Sequence, residues 1–305
     1  MRRLAAAPLL LVAVTAPAVA SGQSLLASAT AGGGWDSNLS GSSGATPVSA
    51  GGYATASVSV GGAIEPSDRD ELSLEIGGDA SRYPAYPDLD IRRPWVEIGW
   101  LHDLGESITV RIAPAAGMIF AGTRARGGWD AGAIAAARLR LGSATALRAS
   151  AGYRHRAADD PAFASDSFRG RGGIERDLWR GSTVAAAYTV DVGQDTFYAP
   201  YTATGTIAPL ATRATSPGSS FGGGGGGGGG GWIAPGGRYG SPVSTFGTSM
   251  VAYAGDRVAH SIGLRLTQRF PAGFTLDASW TYEIVRGEVQ DYTAHLATLE
   301  LAWRR

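Results

Sequence analysis

The sequence predicts an all-β fold: an up-and-down antiparallel transmembrane β-barrel of about twelve strands. Three observations predict it. An export-type leader opens the chain, apolar and polar residues then alternate in segment after segment, and the links between segments are short and long by turns.

The leader comes first. Arg2 and Arg3 precede an apolar run from Leu4 to Val14 and the small residues Ala18-Val19-Ala20, the three parts of a secretory signal, with cleavage expected after Ala20. This divides the chain into a signal, 1–20, and a barrel, 21–305. The apolar run is shorter than the roughly 20 residues of a spanning helix, and no later stretch qualifies. There is no cysteine, hence no disulfide framework and no lipid-bearing cysteine. Glycine accounts for 46 of 305 residues, well above the usual share of about 7%. With Ala, Ser and Thr it displaces the large aliphatics of a solid core, which favours a hollow architecture. The 26 basic residues, all arginine, balance 26 acidic ones, so net charge points to no nucleic-acid partner.

Strands are expected to begin near Leu25, Gly51, Glu71, Arg92, Ser107, Gly128, Ala144, Ser167, Ser182, Asp256, Gly273 and Asp291. The eleventh shows the period-2 pattern most clearly: Phe274, Leu276, Ala278, Trp280, Tyr282 and Ile284 alternate with Thr275, Asp277, Ser279, Thr281 and Glu283. One face suits lipid and the other suits water.

Tight turns fall at Glu65 to Asp68, Asp103 to Glu106, Gly142-Ser143, Arg180-Gly181 and Pro271 to Gly273. Longer links fall at Asn38 to Ala50, Tyr83 to Ile91, Ala121 to Gly127, Ala157 to Asp166 and Gln194 to Gly255, while the final link near Gly287 is brief. Membrane barrels have short periplasmic turns and longer outer loops. Both termini then lie on the periplasmic side, with outer-membrane lipid and the barrel insertion machinery as expected partners.

Aromatics fall where two interfacial girdles need them: Trp179, Phe270, Phe274 and Trp303 near the inner rim, and Trp35, Phe120, Trp129, Tyr153 and Phe168 near the outer rim. The general preference of aromatics for strands is the alternative explanation. The last strand sets Leu299, Leu301 and Trp303 against Thr298, Glu300 and Ala302. It resembles the aromatic-ended terminal strand of bacterial outer-membrane β-barrel families, except that Arg304-Arg305 follows the aromatic. The stretch from Gly32 to Asn38, Gly-Gly-Gly-Trp-Asp-Ser-Asn, resembles one near the start of several barrel families, including some linked to exopolysaccharide export. A strand end entering an Asp/Asn turn explains it equally.

The link from Gln194 to Gly255 carries ten glycines, Gly222 to Gly231. They lack the Lys-Ser/Thr of a phosphate-binding loop and read as linker. The rings Tyr198, Tyr201, Phe221, Trp232, Tyr239 and Phe246 can lie over the mouth or sit in a surface loop. Met250 to Ala254 can instead lengthen the tenth strand.

If the apolar faces meet lipid, parity assigns the charges to the lumen. A basic wall is expected from Arg111, Arg138, Arg140, Arg148, Arg154, Arg156, Arg169 and Arg171 on the fifth to eighth strands. An acidic wall is expected from Glu71, Glu75, Asp79, Glu97, Asp277, Glu283 and Glu300. The same register turns Trp95 and Leu101 inward. Clustered arginines in a confined passage concentrate anions and present planar donors to carboxylates and phosphates. The layout is similar in strand count and charge to narrow twelve-stranded porins for acidic oligosaccharides. That similarity implies a pore or export channel for a small anionic solute or oligosaccharide. Alternatively the charges pair, Arg169 and Arg171 with Glu175 and Asp177 of the same strand and Arg257, Arg265 and Arg269 with Asp191, Asp277 or Glu283 of adjacent strands, and fill a closed structural or adhesive barrel displaying its long loop.

A rim hydrolase is the third reading. Of the histidines His102, His155, His260 and His295, His155 lies near Asp159, Asp160 and Ser165, whereas His260 and Ser261 fall on opposite strand faces. The His-x-Ser-Asn-Gly of outer-membrane phospholipases does not occur. No metal-ligand spacing is present and no cofactor is implied.

Overall fold

The computed structural model describes residues 23–39, 49–179, 181–200, 232–234, 238–243, 250–287 and 291–304. The expected signal and the glycine run lie outside them. In chain order the strands are β1 (Gln23–Asp36), β2 (Gly51–Ser67), β3 (Asp70–Arg82), β4 (Ile91–Asp103), β5 (Ile108–Ala121), β6 (Gly128–Arg140) and β7 (Thr145–Ala158). They continue with β8 (Ser165–Trp179), β9 (Ser182–Pro200), β10 (Trp232–Ala234), β11 (Arg238–Val243), β12 (Met250–Arg269), β13 (Phe274–Gly287) and β14 (Asp291–Arg304). β10 and β11 form a short hairpin on the outer end of β12, from Gly240↔Tyr253 to Val243↔Met250. The other twelve strands pair antiparallel with their chain neighbours, β9 joins β12, and β1 closes on β14 from Ser28↔Arg304 to Asp36↔Leu296. A closed barrel leaves no long edge unpaired.

The two faces separate as period-2 alternation requires. Val58, Val60, Leu72, Leu74, Ile76, Val96, Ile98, Ile112, Met118, Ile262, Leu264, Leu266, Leu299 and Leu301 are all exposed on the exterior. For a protein in water this would be an aggregating surface; for one in a bilayer it is the lipid contact. Trp35, Phe120, Trp129, Tyr153 and Phe168 are exposed toward one end of the barrel, and Trp179, Phe270 and Phe274 toward the other. Trp303 is half-buried, paired with Phe274.

Prolines coincide with three of the interruptions in pairing, a fourth falling between Asp177 and Trp179 of β8. Along β4 and β5 the ladder omits Arg93-Pro94 and Ile98-Gly99. The first gap holds Pro94, and the second lies opposite Pro114, neither of which has an N–H to donate. The first turn also differs from expectation. β2 runs on through Glu65 and Pro66 across a register shift between Ile64 and Ser67, and the chain reverses at Asp68-Arg69 with Ser67 opposite Asp70. A bulge accommodates a proline that a regular ladder rejects.

The link expected over 194–255 is shorter at both ends. β9 continues to Pro200 and β12 starts at Met250, paired from Met250↔Pro200 to Asp256↔Gln194. Thr196, Phe197 and Tyr198 are strand formers, so the wall extends here as far as two partners meet.

Candidate lumen and outer mouth

Parity from the exposed apolar residues defines the interior face. On β5 to β8 it carries Arg111, Arg138, Arg140, Arg148, Arg154, Arg156, Arg169 and Arg171. On β3, β4, β13 and β14 it carries Glu71, Glu75, Asp79, Glu97, Asp277, Glu283 and Glu300. Trp95 also points inward, where its ring lies over Gly77 of β3: a Cβ on that glycine would fall 2.5 Å from Trp95 Cζ2. A large ring inside a narrow barrel thus has room because its cross-strand neighbour has no side chain.

Many of these charges meet across strands. Arg111 bonds Glu97, and Glu175 accepts from Arg138 Nε at 2.8 Å while pairing with Arg148. Arg169 pairs with Asp191 at 2.7 Å, and Arg265 with Asp277 at 2.7 Å. Glu75 accepts from the Ser59 hydroxyl at 3.0 Å. Arg140 and Arg171 have no carboxylate partner among the described residues.

The centre of the network is Asp130, a residue absent from the expected walls. It is 1% exposed and accepts from Arg93 Nε and Arg154 Nε, each at 2.9 Å, while Arg93 Nη1 reaches Asp79 Oδ1 at 3.5 Å. The Arg93–Asp130 bond spans β5, where Gly117 leaves room; a Cβ there would lie 3.0 Å from Arg93 Nε and 3.1 Å from Asp130 Oδ1. Arg257 is the second centre, 2.8 Å from Asp195, 3.5 Å from Asp191 and 3.8 Å from Glu283. The signal for Asp130 and Arg93 was available: Asp130 shares parity with Arg138, and Arg93 with Glu97. Their joint role was not, because β4 and β6 are not sequence neighbours.

Exposure within the interior is uneven. On β12 to β14 the inward Ala259, Val285 and Ala294 are buried. On β6 to β8, Ile134 is exposed despite facing inward, Arg171 is exposed, and the Arg148 and Arg169 side chains are 60% and 66% exposed. The exposed side chains inside the barrel are mostly arginines, including Arg265 of β12 at 50%.

Three outer links narrow one end of the interior. Gly122 N–H donates to Asp90 O, Asp159 N–H to Gly127 O and Asp160 N–H to Ala125 O, which stitches the links after β3, β5 and β7 together. Phe163, in the short 3-10 turn Pro161–Phe163, is buried with Ala162 against Ala252 of β12. Thr196 Oγ1 donates to Ala162 O at 3.0 Å. Tyr83, in the link after β3, packs against Tyr53 with the rings tilted and their centroids 5.4 Å apart. Burial pushes its phenol above the usual range, and the negative charge of Asp36 adds to the shift.

All four histidines stand on the exterior. His102 Nδ1 and Trp100 Nε1 share Asp70 Oδ1 at 2.8 and 3.0 Å, and His155 Nδ1 and the Tyr153 hydroxyl share Asp166 Oδ1 at 2.8 and 2.6 Å. His260 Nδ1 bonds the Tyr188 hydroxyl at 2.6 Å, and His295 packs beside Trp280 and Tyr282. Ser165 and Ser167 project from the opposite face to Asp166, so neither stands beside the His155–Asp166 pair. Among the described residues no group of three His, Asp or Glu is placed to hold a metal ion.

No protein-family model matches the sequence, and no curated protein matches it. Among solved structures, the chain is similar to an outer membrane channel from Pseudomonas putida F1, with a TM-score of 0.58 and 10% identity over 94% of this chain and 97% of that one. The NanC porin superposes with a TM-score of 0.47 and 10% identity, over 90% and 98% of the two chains. The first likeness fixes the architecture independently of sequence: this chain has the fold of an outer-membrane β-barrel.

Proposed function

We propose that the protein is a non-catalytic outer-membrane channel whose interior passes small anionic solutes. The observation that carries this reading is the uneven interior: the inward arginines Arg148, Arg169 and Arg171 of β7 and β8 are exposed, whereas the inward Ala259, Val285 and Ala294 of β12 to β14 are buried. An arginine held by one carboxylate keeps further donors available, and a confined passage strengthens its field. The exterior apolar band supports a membrane location. The similar structure from Pseudomonas putida F1 is itself described as an outer membrane channel.

The test is ionic current through the refolded barrel, residues 21–305, in a planar bilayer under a salt gradient. Steady conductance with an anion-side reversal potential is expected, and replacing Arg148, Arg154 and Arg169 by glutamine should move that potential toward zero. A folded barrel without current would overturn the proposal in favour of a closed structural barrel. That second reading is favoured by one feature: Arg257 and Arg265 are tied to Asp191, Asp195, Glu283 and Asp277, as in a filled interior.

A further inference from the structure

We infer that Arg126 and Arg156 form an oxyanion-binding site in the outer mouth, which receives the carboxylate or phosphate group of a solute. This deepens the channel reading and rests on it only for the site's role in entry. Arg126 closes the 3-10 turn Arg124–Arg126 between β5 and β6, and its Nη1 donates to Asp88 O at 3.1 Å. Arg156 lies on the interior face of β7, and its Nη2 donates to Arg126 O at 2.9 Å. Both guanidinium groups are thus held by neutral backbone carbonyls.

No carboxylate among the described residues is within ion-pair distance of either. The nearby acids are committed elsewhere, Asp130 to Arg93 and Arg154 and Asp195 to Arg257. The Nε atoms of Arg126 and Arg156 are both buried and unpartnered. Arg126 Nη2 and Arg156 Nη1 donate to no group among the described residues. The Phe163 ring, 5.6 Å from Arg126 Cζ, backs that guanidinium on one side.

Two adjacent positive charges with unmet donors are stabilised by an acceptor carrying negative charge, and a carboxylate or phosphate matches the planar fork. Membrane lipid is not the source of that group. Arg156 projects into the interior, while its neighbour His155 faces the exterior where headgroups lie.

The experiment is calorimetric titration of the refolded barrel in a non-ionic detergent with inorganic phosphate at fixed ionic strength. Saturable binding is expected, weakened about tenfold by Arg126→Gln or by Arg156→Gln, roughly the effect of one charge-assisted hydrogen bond. Arg124→Gln, in the same turn but with a 96% exposed side chain, should bind as the parent does. Heat-modifiable migration on gels verifies that each variant is folded. No saturable binding by the folded parent, or equal binding by the Arg126 and Arg156 variants, overturns the site. Current recorded from the same preparations separates the two proposals: a barrel that conducts without binding phosphate loses only the site, and one that binds without conducting loses only the channel.

Discussion

Asp130 illustrates how single residues hold this interior. Its carboxylate is withdrawn from water, so its charge is tolerable only because Arg93 and Arg154 donate to it from strands on either side. Asp130→Asn removes the acceptor charge, leaving Arg154 without a carboxylate partner and Arg93 with only the longer contact to Asp79. Since Arg154 remains half exposed, the expected loss is moderate, about 1–3 kcal/mol. The midpoint of urea unfolding in lipid vesicles measures it. The surface pair Arg124–Asp159, at 3.5 Å, offers the contrast: Arg124→Gln should leave the same midpoint unchanged. Parity made the inward direction of Asp130 legible in the sequence. Its burial was not, because that depends on two arginines brought from β4 and β7.

At the scale of the element, alternation was readable nearly everywhere, because period 2 directly encodes which side chains meet lipid. The exceptions have local causes. Pro66 moved the first turn by forcing a bulge, and Thr196 to Tyr198 prolonged β9 because β12 offered a partner. Trp95 points inward as its register requires, and Gly77 supplies its room. A side chain at Gly77 must therefore displace the indole. Gly77→Val is expected to destabilise the barrel by about 1–3 kcal/mol through overpacking, read from the same unfolding midpoint. Equal stability of Gly77→Val and the parent would show that the indole and the Val58 carbonyl, 2.6 Å from the added Cβ, both give way without cost.

For the whole molecule, the membrane assignment makes its own prediction. Ile98 is near the middle of β4 and 56% exposed on the exterior. Ile98→Arg should cost about 2–4 kcal/mol in a bilayer, where the charge meets hydrocarbon at mid-depth. A cost near zero in vesicles would mean that this face does not contact hydrocarbon. A second prediction concerns the connection between β9 and β12. Those strands pair along their full lengths without help from it, so deleting Gly222 to Gly231 should leave heat-modifiable migration intact.

The sequence by itself determined the up-and-down strand order and the approximate bounds of twelve strands. Both follow from short-range alternation and turn chemistry. Only the tertiary structure decided that Asp130 joins Arg93 and Arg154, which inward arginines stay exposed and how the outer links meet at Arg126. Those outcomes depend on distances between strands far apart in the chain, on the absence of side chains at Gly77 and Gly117, and on backbone carbonyls that no residue pattern announces.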